Sequence, residues 1–142
     1  MNKYQILETT FQDQLQNIKQ IRQQVFIEEQ HVPIELEWDG LDDEAIHLIV
    51  FNNQLPIATS RLLKDGHIGR MAVMPKWRNQ GVGTAMLLKL IKIAHQHDLK
   101  KVFLSSQVTA IDFYTKQGFN ITSDTYLDAG IPHKDMQLNL ME

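Results

Sequence analysis

In Arg78-Asn79-Gln80-Gly81-Val82-Gly83-Thr84, two glycines and a basic residue stand between two apolar stretches. The first, Ile68-Gly69-Arg70-Met71-Ala72-Val73, reads as a strand, and the second, from Ala85 onward, reads as a helix. Backbone N–H groups at a helix start have no partner inside the helix and carry the positive end of its dipole. Glycines let a ligand come close to that backbone and permit positive φ. A strand, a glycine loop and a helix start in this order therefore make a cradle for pyrophosphate or a similar dianion, with Arg78 adding charge. The other reading is a tight strand-to-helix turn with no ligand. Two phosphate motifs do not fit. A P-loop needs a Lys after its second Gly, and a dinucleotide fingerprint needs Gly or Ala where Met86 stands.

The whole chain bounds the chemistry further. It has 142 residues, 43% hydrophobic and 22% charged, enough for one substantial core in a single domain spanning 1–142. Its net charge of −3 argues against a general nucleic-acid binder. With no cysteine it has no disulfide scaffold, thiolate metal site or thiol nucleophile, as suits a reducing compartment. The polar N-terminus is unlike a signal peptide, and no apolar run is long enough to span a membrane. The expectation is a cytoplasmic protein without a membrane or nucleic-acid partner.

The elements that must position the loop follow from periodicity. Residues 4–8 predict a strand. Phe11, Leu15, Ile18, Ile21 and Val25 recur every three or four positions and predict a helix over 11–29. Residues 31–43, with Pro33, Gly40 and several acids, predict a loop with a short helical turn. Three strand-like runs follow at 44–52, 55–63 and 67–74, separated by Asn53-Gln54 and by Lys64-Asp65-Gly66, a meander. A helix over 80–97, a strand over 101–106 and a helix ending at Gly118 come next. A closing hairpin turns around the loop Ala129–His133. The order is β-α-β-β-β-α-β-α-β-β, a mixed α/β fold. The strands flanking helix 80–97 are expected as parallel neighbours, since a crossover needs a helix of about that length.

Ala72-Val73-Met74-Pro75 followed by Arg78-Asn79-Gln80-Gly81-Val82-Gly83 resembles the acyl-CoA-binding motif of the GNAT superfamily of N-acetyltransferases. "LSSQVTAIDFYTKQGF" (104–119) resembles a second segment of that family. "VFIEEQHVPIELEWDGLDDEAIH" (25–47) is similar to the signature of a small bacterial branch. The resemblance implies acetyl-CoA as cofactor, with transfer to an amine of a small molecule or peptide. It implies a bulge that splays the strand before the loop from the next parallel strand, with Met71, Ala72 and Val73 pairing with pantetheine in the gap and the amides of Gln80 to Thr84 receiving the pyrophosphate. Ser105 stands where many relatives have Asn, and Ala110 and Phe113 would flank the cofactor arm. Tyr114 matches the tyrosine that hydrogen-bonds the leaving sulfur. A backbone N–H near Val73 would face the oxyanion.

The proton of the amine needs a base. His67 begins the fourth strand, where several superfamily members place one, and its other reading is an exposed turn residue. Glu28, Glu29 and Asp39 are alternatives from the first helix and its loop, or else solvated surface. Arg61, Arg70 and His133 could bind an acidic group on the acceptor. The acids Glu35, Glu37, Asp39, Asp42 and Asp43 could draw a cationic acceptor. His47 reads as a hydrogen-bonded structural residue. His95 and His97 do not share a helix face, so no metal is expected. A non-catalytic acyl-CoA-binding regulatory or interaction module would keep the loop without an acid or base. Strands at the C-terminus are compatible with a homodimer.

Overall fold

The structure, a computed structural model, describes residues 4–140. Its first sheet is the expected meander. β1 (Tyr4–Thr9), β2 (Ile46–Asn52), β3 (Leu55–Leu62) and β4 (Ile68–Val73) pair antiparallel in chain order. Asn53 and Gln54 have φ of 47° and 73°, the backbone of a two-residue turn whose twist matches that of the strands it joins. Residues Leu48 to Val50 and Ile57 to Leu62 are buried without alternation, because helices cover both faces of this sheet.

One face carries α1 (Leu15–Arg22) and a π-helical segment, Gln23–Glu29. The single helix expected over 11–29 thus begins later and changes its winding. Phe11 is buried ahead of the helix, and the Gln30 N–H reaches back five residues to the Val25 carbonyl (3.2 Å). The apolar spacing still holds, since Ile18, Ile21 and Val25 pack with Ile49 and Ala72. A short α2 (Ile34–Glu37) follows. The other face carries α3 (Val82–Gln96), whose Met86, Leu87, Leu90 and Ile93 are buried with Leu48, Val50 and Ile57.

The second sheet contains β5 (Lys101–Gln107), β6 (Asn120–Ile121), β7 (Tyr126–Asp128) and β8 (Ile131–Asn139), with α4 (Ile111–Thr115) between β5 and β6. β8 pairs antiparallel with β5 on one side and with β6 and β7 on the other. The closing turn is tighter than the sequence suggests. Ala129 and Gly130, with φ of 51° and 77°, make it alone, so Ile131, Pro132 and His133 belong to β8 rather than to a loop.

β4 and β5 run parallel, as expected from the sequence, but they do not pair along their length. They meet at one bridge, His67 with Phe103, where the Phe103 N–H donates to the Gly66 carbonyl (3.0 Å). Beyond it no ladder joins them among the described residues, and the two sheets diverge. Gly66 makes the contact close enough. Its φ is 99°, and a Cβ there would lie 2.5 Å from the Lys101 carbonyl oxygen. The result is a mixed α/β fold opened like a V. No helix among the described residues is long and apolar enough to cross a membrane.

Candidate active site

The divergence has a local cause. Thr59 pairs with Ala72 and Arg61 with Gly69, so Arg70 and Met71 together oppose Ser60 alone. This is a β-bulge, which bends the strand that carries it. Arg70 has φ of 51° there, a conformation uncommon for a side chain larger than Asn. Between the separated strands lies a cleft of about 470 Å³. Arg70 and Met71 from β4, Ser105 and Gln107 from β5, Tyr114 from α4 and His133 from β8 line it. Phe26 and Gln30 reach it from the π-helical side, where the Gln107 amide donates to Gln30 (2.9 Å).

The glycine loop occupies the end of β4. Asn79 and Gly81 have φ of 61° and 86°, and the Ala85 N–H closes the first helical bond onto the Gly81 carbonyl (3.0 Å). The preceding amides of the turn therefore emerge at the helix start. No atom of the described residues lies within 4 Å of the position a Gly81 Cβ would take. The Gly83 position is 3.5 Å from the Phe113 ring and 4.0 Å from Val73, which joins the loop to α4 and β4. Val82 is buried and anchors the turn, while Thr84 lies half-buried beside it in the first turn of α3. Open space, positive φ and a helix N-terminus fit a phosphate-bearing ligand.

Arg78 is more constrained than the sequence suggests. Its Nε donates to the Val73 carbonyl (2.8 Å), and its two terminal nitrogens donate to the two carboxylate oxygens of Glu29, each at 2.7 Å. The Arg78 hydrogen bond holds the Glu29 carboxyl below its usual range. Glu29 is thus a partner of Arg78 rather than a free base. The Gln80 side chain donates to the Lys76 carbonyl (3.1 Å), and Glu28 is exposed away from the cleft lining.

Tyr114, Ala110 and His67 do line the cleft. The Tyr114 hydroxyl lies 4.0 Å from the Met71 sulfur, and burial pushes its phenol up to about 12. Phe113 meets its ring edge-on at 5.0 Å. His67 sits at the hinge of the V, its ring stacked on Phe103 at 4.9 Å. Burial there lowers its pKa, which favours the neutral ring. Ser105 is engaged elsewhere: its hydroxyl donates to the Tyr126 oxygen, and Tyr126 donates to Asp135 (2.5 Å).

The acidic loop and the strand arginines form one network, which neither expectation for them anticipated. Arg22, fully buried, donates to Glu37 (2.7 Å) and Asp42 (2.6 Å) and stacks 4.7 Å from the Trp38 ring. Arg61 holds Asp39 and Asp42, and Arg70 holds Asp39 (3.1 Å) and the carbonyls of Leu36 and Glu37. The His47 Nε2 donates to the Asp42 carbonyl (2.9 Å), the structural role expected for it. Asp39 is accordingly an ion-paired carboxylate. Burial pushes its carboxyl up, but Arg61, the Leu41 amide and Arg70 outweigh that and hold it at about 2. Arg61 faces these carboxylates, not an acceptor. The sequence signal for this network was present in charged residues lying inside apolar patterns at 22, 61 and 70, without their partners being legible.

A bulged strand splayed from its neighbour, with a glycine-rich helix start at its end, is the geometry of a known family. Residues 7–140 match the family model described as the acetyltransferase (GNAT) domain, and the chain belongs to that family. It is 36% identical over 129 residues to the uncharacterized N-acetyltransferase YjcF of Bacillus subtilis, covering 88% of this chain and 92% of that protein. An acyl-CoA N-acyltransferase structure from Pseudomonas aeruginosa superposes with a TM-score of 0.85 at 30% identity, covering 94% of this chain and 98% of the other. Escherichia coli ElaA superposes with a TM-score of 0.83 at 29% identity, over 94% and 97% of the two chains.

Proposed function

We propose that the protein moves an acetyl group from acetyl-CoA directly to a primary amine of a small molecule or peptide. The observation that carries this reading is the divergence of β4 and β5 from a single bridge into a cleft that Tyr114 lines, with the glycine loop between β4 and α3. Bound acetyl-CoA supplies an activated acyl carbon and a thiolate leaving group. The backbone of Met71 to Val73, released from β5 by the bulge, pairs with the pantetheine arm as a strand added to a sheet edge. The amides of Gln80 to Thr84 take the pyrophosphate. Arg78 reaches it only by loosening its hold on Glu29.

A peptide N–H near Val73 faces the oxyanion. Tyr114 stays protonated throughout the neutral range and donates its O–H to the departing sulfur. Against a thiol near ~8.5, a phenol at about 12 makes full proton transfer uphill by about 5 kcal/mol. Tyr114 therefore acts through the hydrogen bond. The acceptor enters as an ammonium and must lose a proton before it attacks. Two histidines line the cleft, His67 and His133.

Calorimetric titration with acetyl-CoA and CoA tests the reading. Micromolar binding by the wild type, abolished in Gly81→Glu/Gly83→Glu, is the expected result, because the new carboxylates enter the cradle. CoA release that depends on added amine then separates an enzyme from a non-catalytic acyl-CoA-binding module. A folded wild type that binds neither ligand removes the proposal.

A further inference from the structure

We propose that His133, and not His67, is the general base that takes the proton of the acceptor amine. The inference rests on the acetyltransferase reading and adds a residue to it. The His133 Nδ1 lies 2.6 Å from the carbonyl oxygen of Ile131, two residues earlier on β8. A carbonyl only accepts, so Nδ1 must carry the proton. In the neutral ring the lone pair then belongs to Nε2, which has no protein partner among the described residues. The rest of the ring is fixed as well. His133 lies in register between Gln107 of β5 and Tyr126 of β7, and it stacks on the Tyr126 ring at 6.2 Å and 25°.

His133 lines the same cleft as Met71 and Tyr114, from the opposite sheet. An amine placed between the thioester and β8 would have the acyl carbon on one side and this ring on the other. His67 lacks such preparation. Its ring has no hydrogen bond among the described residues, and it lies over Phe103 at the closed end of the V. A bonded Nδ1–H is what orients an imidazole for proton transfer at Nε2.

The proton count closes. The acceptor ammonium gives one proton to His133 Nε2, and its lone pair forms the C–N bond. Collapse of the adduct breaks the C–S bond, and the nitrogen's second proton goes to the thiolate held by Tyr114. His133 then returns its proton to solvent. The sum is ammonium plus thioester to amide, thiol and one proton. The charged and titratable groups sharing the cleft are Glu37, His67, Arg70, Tyr114 and Asp128, with Tyr126 stacked on the ring. Asp135 lies beyond Tyr126.

Two measurements decide it. Long-range 1H–15N spectra of the imidazoles at pH 8 should show His133 protonated on Nδ1, a tautomer that a freely exposed histidine does not favour. A His133 protonated on Nε2 overturns the proposal whatever the acceptor proves to be. Kinetics with ethanolamine, putrescine and phenethylamine as probe acceptors should show a loss of ~10²–10⁴-fold in kcat for His133→Asn. The Asn amide can still donate to the Ile131 carbonyl, so calorimetric affinity for CoA should stay within about twofold. Free imidazole should restore part of the variant's rate. A His133→Asn rate within threefold of wild type sinks the assignment. A wild type that binds acetyl-CoA yet acetylates none of the probes counts against the acetyltransferase reading, and the tautomer still decides on His133.

Discussion

At the scale of single residues, Tyr114 and Asp39 show how burial and partners divide the chemistry. The Tyr114 hydroxyl meets the Met71 thioether among the described residues, so burial acts unopposed and its phenol is held at about 12. In the proposed reaction it works as the protonated form, present below its pKa and lost as pH rises through about 12. Activity that depends on it should therefore show no phenol limb near pH 10. Tyr114→Phe should lower kcat by roughly 10²-fold while calorimetry finds CoA affinity little changed, because only the bond to the leaving sulfur is removed. Asp39 is the opposite case, since two arginines and an amide hold its folded pKa at about 2, below the ~3.9 of an unfolded chain. A depressed value means stability that is full above about pH 4 and lost as pH falls through about 2. Thermal melts should show Asp39→Asn clearly less stable than wild type at pH 7, with the gap narrowing as pH falls from 4 to 2.

At the scale of elements, two glycines with the same backbone demand differ in their surroundings. Gly81 and Gly66 both have φ near 90°, so a side chain at either costs about 1–3 kcal/mol in strain. At Gly81 there is open space, whereas at Gly66 a Cβ would strike the Lys101 backbone. Urea titration should find Gly66→Ala the more destabilised, and only that variant should disturb the hinge between β4 and β5. Arg78 and Glu29 join the end of β4 to the π-helical segment on the surface, where such pairs are worth ~0–1 kcal/mol. Glu29→Gln should free Arg78 and tighten CoA binding by up to about fivefold in calorimetry, an effect that added salt should erase.

At the scale of the molecule, Arg22, Arg61 and Arg70 balance Glu37, Asp39 and Asp42 in one network that fastens the 31–43 loop to the bulge. The same side chain, Arg70, sits in the bulge that opens the cleft and grips the carbonyls of Leu36 and Glu37. The acidic loop and the bulged strand are thereby tied together. Removing Arg22 would strip Glu37 and Asp42, both buried, of one of the two cations that hold each, leaving Arg70 on the first and Arg61 on the second. Arg22→Ala should cost about 3–5 kcal/mol in chemical denaturation, more than any surface substitution near the cleft.

The strands, α3 and the glycine loop were legible in the sequence, because each rests on local rules: period-two or helical spacing, a two-residue turn at 53–54, and glycines before an apolar helix. The one long first helix was read from the same rule, but apolar spacing alone does not tell α winding from the π turn at 23–29. The cleft was implied by the family resemblance alone, and no local pattern in the chain reveals it. A bulge is a mismatch between two strands, and Arg70 and Met71 reveal it only once β3 lies beside them. Nor could charge patterns tell a solvated acidic loop from a buried network, since Asp39 meets Arg61 across 22 residues of chain. The residues that can do chemistry were fixed by the order of side chains along the chain. Which carboxylates are already neutralised, and which histidine keeps a lone pair for the substrate, was decided by contacts that exist only after the two sheets have packed.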